Sequence, residues 1–71
     1  MENPKLMAAA QRRGRWLMDH PKHSIGFNRT NTLLCLFSRD DEKVPIDQEP
    51  VNLDDSDDHA RAITALLDRH P

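Results

Sequence analysis

Five side chains in this sequence could ligate a soft metal or serve as nucleophile and base: His20, His23, Cys35, His59 and His70. A structural zinc site needs four ligands held at closely templated spacing. His20 and His23 stand three apart, but Pro21 lies between them, so one helical face cannot carry both. There is no Cys-x-x-Cys pair and no His-Glu-x-x-His run, so neither a metal nor another cofactor is expected. Cys35 sits inside the apolar run Leu33-Leu34-Cys35-Leu36-Phe37. A reactive thiol requires an exposed, electropositive setting, so this one reads as a small buried hydrophobe. Gly14 and Gly26 are the only glycines, which rules out a glycine-rich phosphate loop. No catalytic residues are assigned, and the sequence predicts a protein that is not an enzyme.

Binding chemistry is better represented. Arg12, Arg13 and Arg15 surround Gly14 and precede Trp16, giving three guanidinium groups and an indole within a short segment. Arginine can pair bidentately with phosphate or carboxylate, and Trp can stack on a base or anchor a protein contact. Arg12, Arg13, Arg15 and Trp16 are therefore the candidate partner-binding residues. The plainer reading of the same residues is a solvated helix face whose edge Trp16 fixes to the core.

Charge is unevenly spread. Residues 1–38 carry six basic side chains against two acids, and residues 39–58 carry nine acids against two bases. An acidic segment of that size repels a phosphate backbone. A protein target is therefore expected ahead of nucleic acid. The leading expectation is a small regulatory or inhibitory protein that binds and modulates another protein, in the style of the short regulators of phages and bacteria. A transcriptional regulator that contacts nucleic acid through Arg12-Arg13-Gly14-Arg15-Trp16 is the alternative.

The elements that must position these residues follow from capping signals and periodicity. Asn3-Pro4 is a helix start, since Asn caps well and Pro suits the first helical position. A run of good helix formers follows, and Pro21 disfavours helix in the residue before it, so the first helix is predicted over about 4–19. Met7, Ala10, Gly14 and Leu17 recur on one face, with Leu6 and Met18 flanking them. Gly inside a helix costs about 1 kcal/mol relative to Ala. Gly14 thus implies a close neighbour, either this chain's own last helix or a second copy. Met7, Ala10, Gly14 and Leu17 are accordingly the candidate dimer seam. A chain of 71 residues buries little surface on folding, and a homodimer would compensate.

The last helix is predicted over about 55–70. Asp54 to Asp58 supply its cap and early acids, and Ala60, Ile63, Leu66 and Leu67 form its buried face. Between the two helices the reading is less direct. Residues 44–53 hold Pro45 and Pro50 and read as an extended strap. Three leucines and the Thr30-Asn31-Thr32 cluster favour a middle helix over about 30–43. A hairpin pairing 24–28 with 32–38 is the alternative, although it lacks an Asn-Gly or Asp-Gly turn. The fold class expected is therefore mainly α: one small helical domain over residues 1–71, with two amphipathic helices and a helical middle, in a dimer. The N-terminal residues lack the apolar stretch of a secretory signal, the longest apolar run is far too short to span a membrane, and the single cysteine suits a reducing compartment. A cytoplasmic protein without membrane contact is expected.

Overall fold

A computed structural model describes residues 3–71. Helix α1 spans Pro4–Asp19, strand β1 His23–Phe27, strand β2 Leu33–Ser38, strand β3 Asp47–Pro50 and helix α2 Ser56–Asp68. The strands form one antiparallel sheet in the order β1-β2-β3. Both helices start where the sequence places them. Asn3 Oδ1 accepts from the Lys5 and Leu6 N–H groups, and the Asp55 side chain accepts from those of Asp57 and Asp58.

The middle of the chain corrects the expectation of a mainly α fold. Residues 30–43 hold no helix; the hairpin forms instead, with Ser24 opposite Phe37, Ile25 opposite Leu36 and Phe27 opposite Leu34. The turn needs no Asn-Gly pair because Asn31 takes the left-handed conformation itself, at φ 58°. Asn tolerates that region better than any other residue with a large side chain. Asn28 closes the turn: its Oδ1 accepts from Thr32 N at 2.8 Å and from Leu33 N at 2.9 Å. The leucines of β2 are good helix formers, but the run is only strand-length, and the centre of a sheet rewards apolar side chains on both faces.

Register sorts the two faces. Leu34 and Leu36 point to the helices and join Ile63, Leu66 and Leu67 in the core, with Ile25 packed against them. Cys35 is buried on the opposite face, between Gly26 and Gln48. Burying one such leucine or isoleucine contributes about 1.5–3 kcal/mol. The α2 face formed by Ala60, Ile63, Leu66 and Leu67 is buried as its spacing predicts, with Ala62 beside it.

On α1 the buried face is turned from the one expected. Ala9 and Trp16 are buried, and Leu6 and Leu17 pack against the core. Met7 is 46 % exposed and Met18 81 %. A β-carbon placed on Gly14 would meet nothing within 4 Å, so α2 does not approach there. The indole explains the rotation, since a Trp buries roughly 150–250 Å² and outweighs Met, Ala and Gly in choosing the inward side.

The helices lie side by side and parallel. Asn3 meets Asp57, Arg12 meets Asp68 and Trp16 meets His70, all at nearly the same sequence offset. Both N-termini therefore sit at one end of the molecule and both C-termini at the other.

Candidate protein-binding surface

The four residues proposed to contact a partner do not form one surface. Trp16 is buried, and its indole N–H donates to the backbone carbonyl of His70. Its ring stacks on His20 with centroids 3.9 Å apart, and His23 stands edge-on to both. His20 Nδ1–H in turn donates to the Trp16 carbonyl at 2.8 Å, capping the end of α1. The indole thus ties α1 to the end of α2, and its face is occupied by an imidazole. Arg12 is paired with Asp68 across the helix pair. Arg15 is exposed and Arg13 half-buried.

The histidines are dispersed. Those near Trp16 are joined by His70, whose Nε2–H donates to Asp47 Oδ2 at 2.8 Å. His59 lies at the other end, edge-on to Phe27. Burial, reinforced by the Arg13 charge, holds the His59 pKa below its ordinary value. Its Nε2 and the Nδ1 of His23 are buried without a hydrogen-bond partner. Among the described residues no three His, Cys, Asp or Glu side chains converge as metal ligands. Burial also raises the Cys35 thiol pKa.

A charged cluster that the sequence reading missed clamps β3 to α2. Arg69 Nε and Nη1 donate to Asp47 Oδ2 and Glu49 Oε2, each at 2.9 Å. Arg61 Nη1 and Nε donate to Glu49 Oε1 at 2.6 Å and Asp58 Oδ1 at 2.7 Å. Hydrogen bonds from Arg69, then His70, hold the Asp47 carboxyl well below the usual carboxylate range, and Arg69, then Arg61, do the same for Glu49. Both arginines are correspondingly raised. A signal for this cluster was present: two acids two apart on an extended segment share one face, as do two arginines eight apart on a helix.

The outer side of the helix pair holds a concavity of about 670 Å³. Ala9 and Ala60 make its buried floor, and Ala8, Thr64 and Ala65 line its walls. Two polar bridges close its ends: Asn3 Nδ2 donates to Asp57 Oδ1 at 2.8 Å, and Arg12 pairs with Asp68. Lys5 and Arg61 stand at its rim. The result is an apolar pit, open to solvent, framed by the paired Arg12, Arg61, Asp57 and Asp68 and by Lys5.

No helix among the described residues is long and apolar enough to cross a membrane. No family model, curated protein or solved structure matches this chain.

Proposed function

We propose that this chain is a small, non-enzymatic cytoplasmic protein that binds and modulates a protein target. The pit between α1 and α2 is the seat for one bulky apolar side chain of that target. The observation that carries this reading is the alanine floor bounded by the Asn3–Asp57 and Arg12–Asp68 bridges. Small floor residues leave room for an inserted anchor, and pre-paired rim charges need no new partner when the pit closes. Anchors in desolvated pockets supply most of the energy of many protein interfaces. Lys5 on the rim, which has no ion pair among the described residues, favours a target segment carrying acid beside that anchor.

The test compares tagged wild type with Thr64→Arg, which fills the pit from an exposed position. Wild type is expected to recover one protein in stoichiometric amount from its own host, and Thr64→Arg to bind it at least about tenfold more weakly with an unchanged circular dichroism spectrum. Undiminished capture by Thr64→Arg removes the pit from the reading. Recovery of nucleic acid in place of a protein overturns the reading altogether.

A further inference from the structure

The two edges of the sheet differ in how they are finished. The β3 edge is closed. Pro50 has no N–H, and the outward carbonyls of Gln48 and Pro50 accept from Arg69 Nη2 at 3.3 Å and Arg61 Nη2 at 2.7 Å. Proline, charge and short length are the usual means of keeping an edge strand from pairing with another chain.

On the β1 edge such closure reaches only the first residue, His23, whose carbonyl accepts from Arg39 Nε at 3.4 Å and whose N–H donates to the His20 carbonyl at 3.0 Å. The strand residues His23-Ser24-Ile25-Gly26-Phe27 include no proline, lysine, arginine or acid. The bonds Arg39 N–H to Lys22 O and Asn28 N–H to Leu33 O show that even-numbered residues turn their backbone groups toward β2. Alternation therefore turns the N–H and C=O groups of Ile25 and Phe27 outward, away from any described partner.

Helix α1 lies over β1 and beside α2. Its residues Lys5, Ala8, Ala9 and Arg12 face the pit, which leaves Met7, Gly14 and Met18 on the side turned from α2, flanking the same edge. Positions 7, 10, 11, 14, 17 and 18 hold no charge, in a helix that elsewhere carries four cations and an acid. A two-fold interface sets a patch against its own copy, so an uncharged patch avoids self-repulsion. Spacing points the same way. Paired strands lie about 4.8 Å apart, whereas helix axes usually need about 8–10 Å. Joining two β1 strands brings two α1 helices unusually close, and Ala10 and Gly14 remove the side chains that would prevent it.

We propose that two copies of this chain pair β1 to β1 about a two-fold axis through Ile25, forming a six-stranded antiparallel sheet with the two α1 helices packed antiparallel along Met7, Ala10, Gly14 and Met18. Full overlap of β1 sets Ile25 opposite its own copy, His23 opposite Phe27 and Ser24 opposite Gly26. This interface uses the side of α1 away from the pit, so it stands or falls independently of the target-binding reading.

The register gives the test. Ser24 and Gly26 face away from the helices, and a β-carbon on Gly26 meets nothing within 4 Å. In that register they form a non-hydrogen-bonded pair, with Cα atoms about 4.5 Å apart across the axis, close enough for a disulfide. Ser24→Cys and Gly26→Cys are each made with Cys35→Ala, mixed in equal amounts and oxidised. The mixture is expected to give a covalent dimer, while neither variant alone does so. By light scattering, wild type is expected at twice the chain mass of 8.2 kDa, and Met18→Asp at 8.2 kDa with unchanged circular dichroism. Wild type at 8.2 kDa at high micromolar concentration overturns the proposal. So does a dimer that fails to cross-link in the mixture or that survives Met18→Asp unchanged.

Discussion

Replacing Trp16 separates its two readings, because a ring that anchors the fold and a ring that contacts a partner fail differently. The indole is only 9 % exposed, packs with the core, stacks on His20 and donates to the His70 carbonyl. Removing a buried aromatic side chain costs about 3–5 kcal/mol. A chain of 71 residues is stable by about 4–10 kcal/mol in total. Trp16→Ala is therefore expected to leave the protein at or near the threshold of unfolding. Trp16→Phe keeps a ring against His20 but leaves the His70 carbonyl without its donor, a loss of about 1 kcal/mol, and underfills the site by roughly another 1 kcal/mol. With a urea slope of about 1 kcal/mol per molar for a domain this small, the Trp16→Phe midpoint should fall by roughly 2 M. Far-ultraviolet circular dichroism through a urea titration reads both variants, independently of the fluorescence that the substitution removes. A Trp16→Ala variant unfolding at the wild-type midpoint would refute the reasoning and return the indole to the surface.

Four further outcomes are expected. Asn31→Ala should cost about 1–2 kcal/mol in urea denaturation, while Asn31→Gly stays within about 0.5 kcal/mol of wild type, because only the left-handed conformation is at issue; equal losses would show that the Asn side chain matters instead. His59 has a folded pKa below its unfolded value near 6.5, so its neutral form favours the fold and stability declines as pH falls through the imidazole range. His59→Leu should flatten the wild-type difference in urea midpoint between about pH 7.5 and about pH 5.5, and an undiminished slope would assign the effect to another group. Asp47 and Glu49 are likewise depressed, so their contribution is complete above the ordinary carboxylate range near 4 and is lost as pH falls below it. Arg69→Met should make that acid limb shallower and cost about 1 kcal/mol at neutral pH, a figure already reduced for the solvent exposure of the guanidinium; an unchanged limb would show that the clamp is not holding β3. Cys35 should resist a thiol-specific reagent in the native protein and react in urea, since burial both covers the sulfur and raises its pKa; rapid native labelling would contradict the register that buries it.

What the sequence disclosed was governed by nearby residues, and what it concealed was governed by distant ones. Asn3-Pro4 and Asp55 start helices through atoms two and three residues away, so both were legible. The phase of α1 was not, because the choice between its two apolar faces depends on what Trp16 meets at His70. Residues 44–53 were legible as extended, but nothing local marked Asp47–Pro50 within them as a paired strand. Asp-Gln-Glu-Pro is a poor strand by composition, and its place in the sheet rests on Leu34 and Leu36 alongside it and on Arg61 and Arg69 beyond it. The leucines of β2 misled for the same reason: helix propensity is a weak preference that sheet packing overrides.

The parallel helices also change what the uneven charge means. Two helix N-termini side by side place two partial positive charges at one end, each stabilised by nearby carboxylates. Asp55, Asp57 and Asp58 sit there, and Asp57 reaches the Asn3 cap of the other helix. Of the other six acids in that stretch, Asp47 and Glu49 are held by Arg61 and Arg69. Five of the nine acids, Asp47, Glu49, Asp55, Asp57 and Asp58, are thus engaged within the fold. By the same reasoning, Arg12 is removed from the basic stretch by Asp68 and Trp16 by the core. Beside solvated charges such as Lys5 and Arg15, the fold leaves uncharged features without an internal explanation: the pit of alanines, Gly14 with open space above it, Met7 and Met18 in solvent, and a strand edge beside them. Those features share a need for apolar contact, so the surfaces to probe first are the ones that charge patterning in the sequence did not mark.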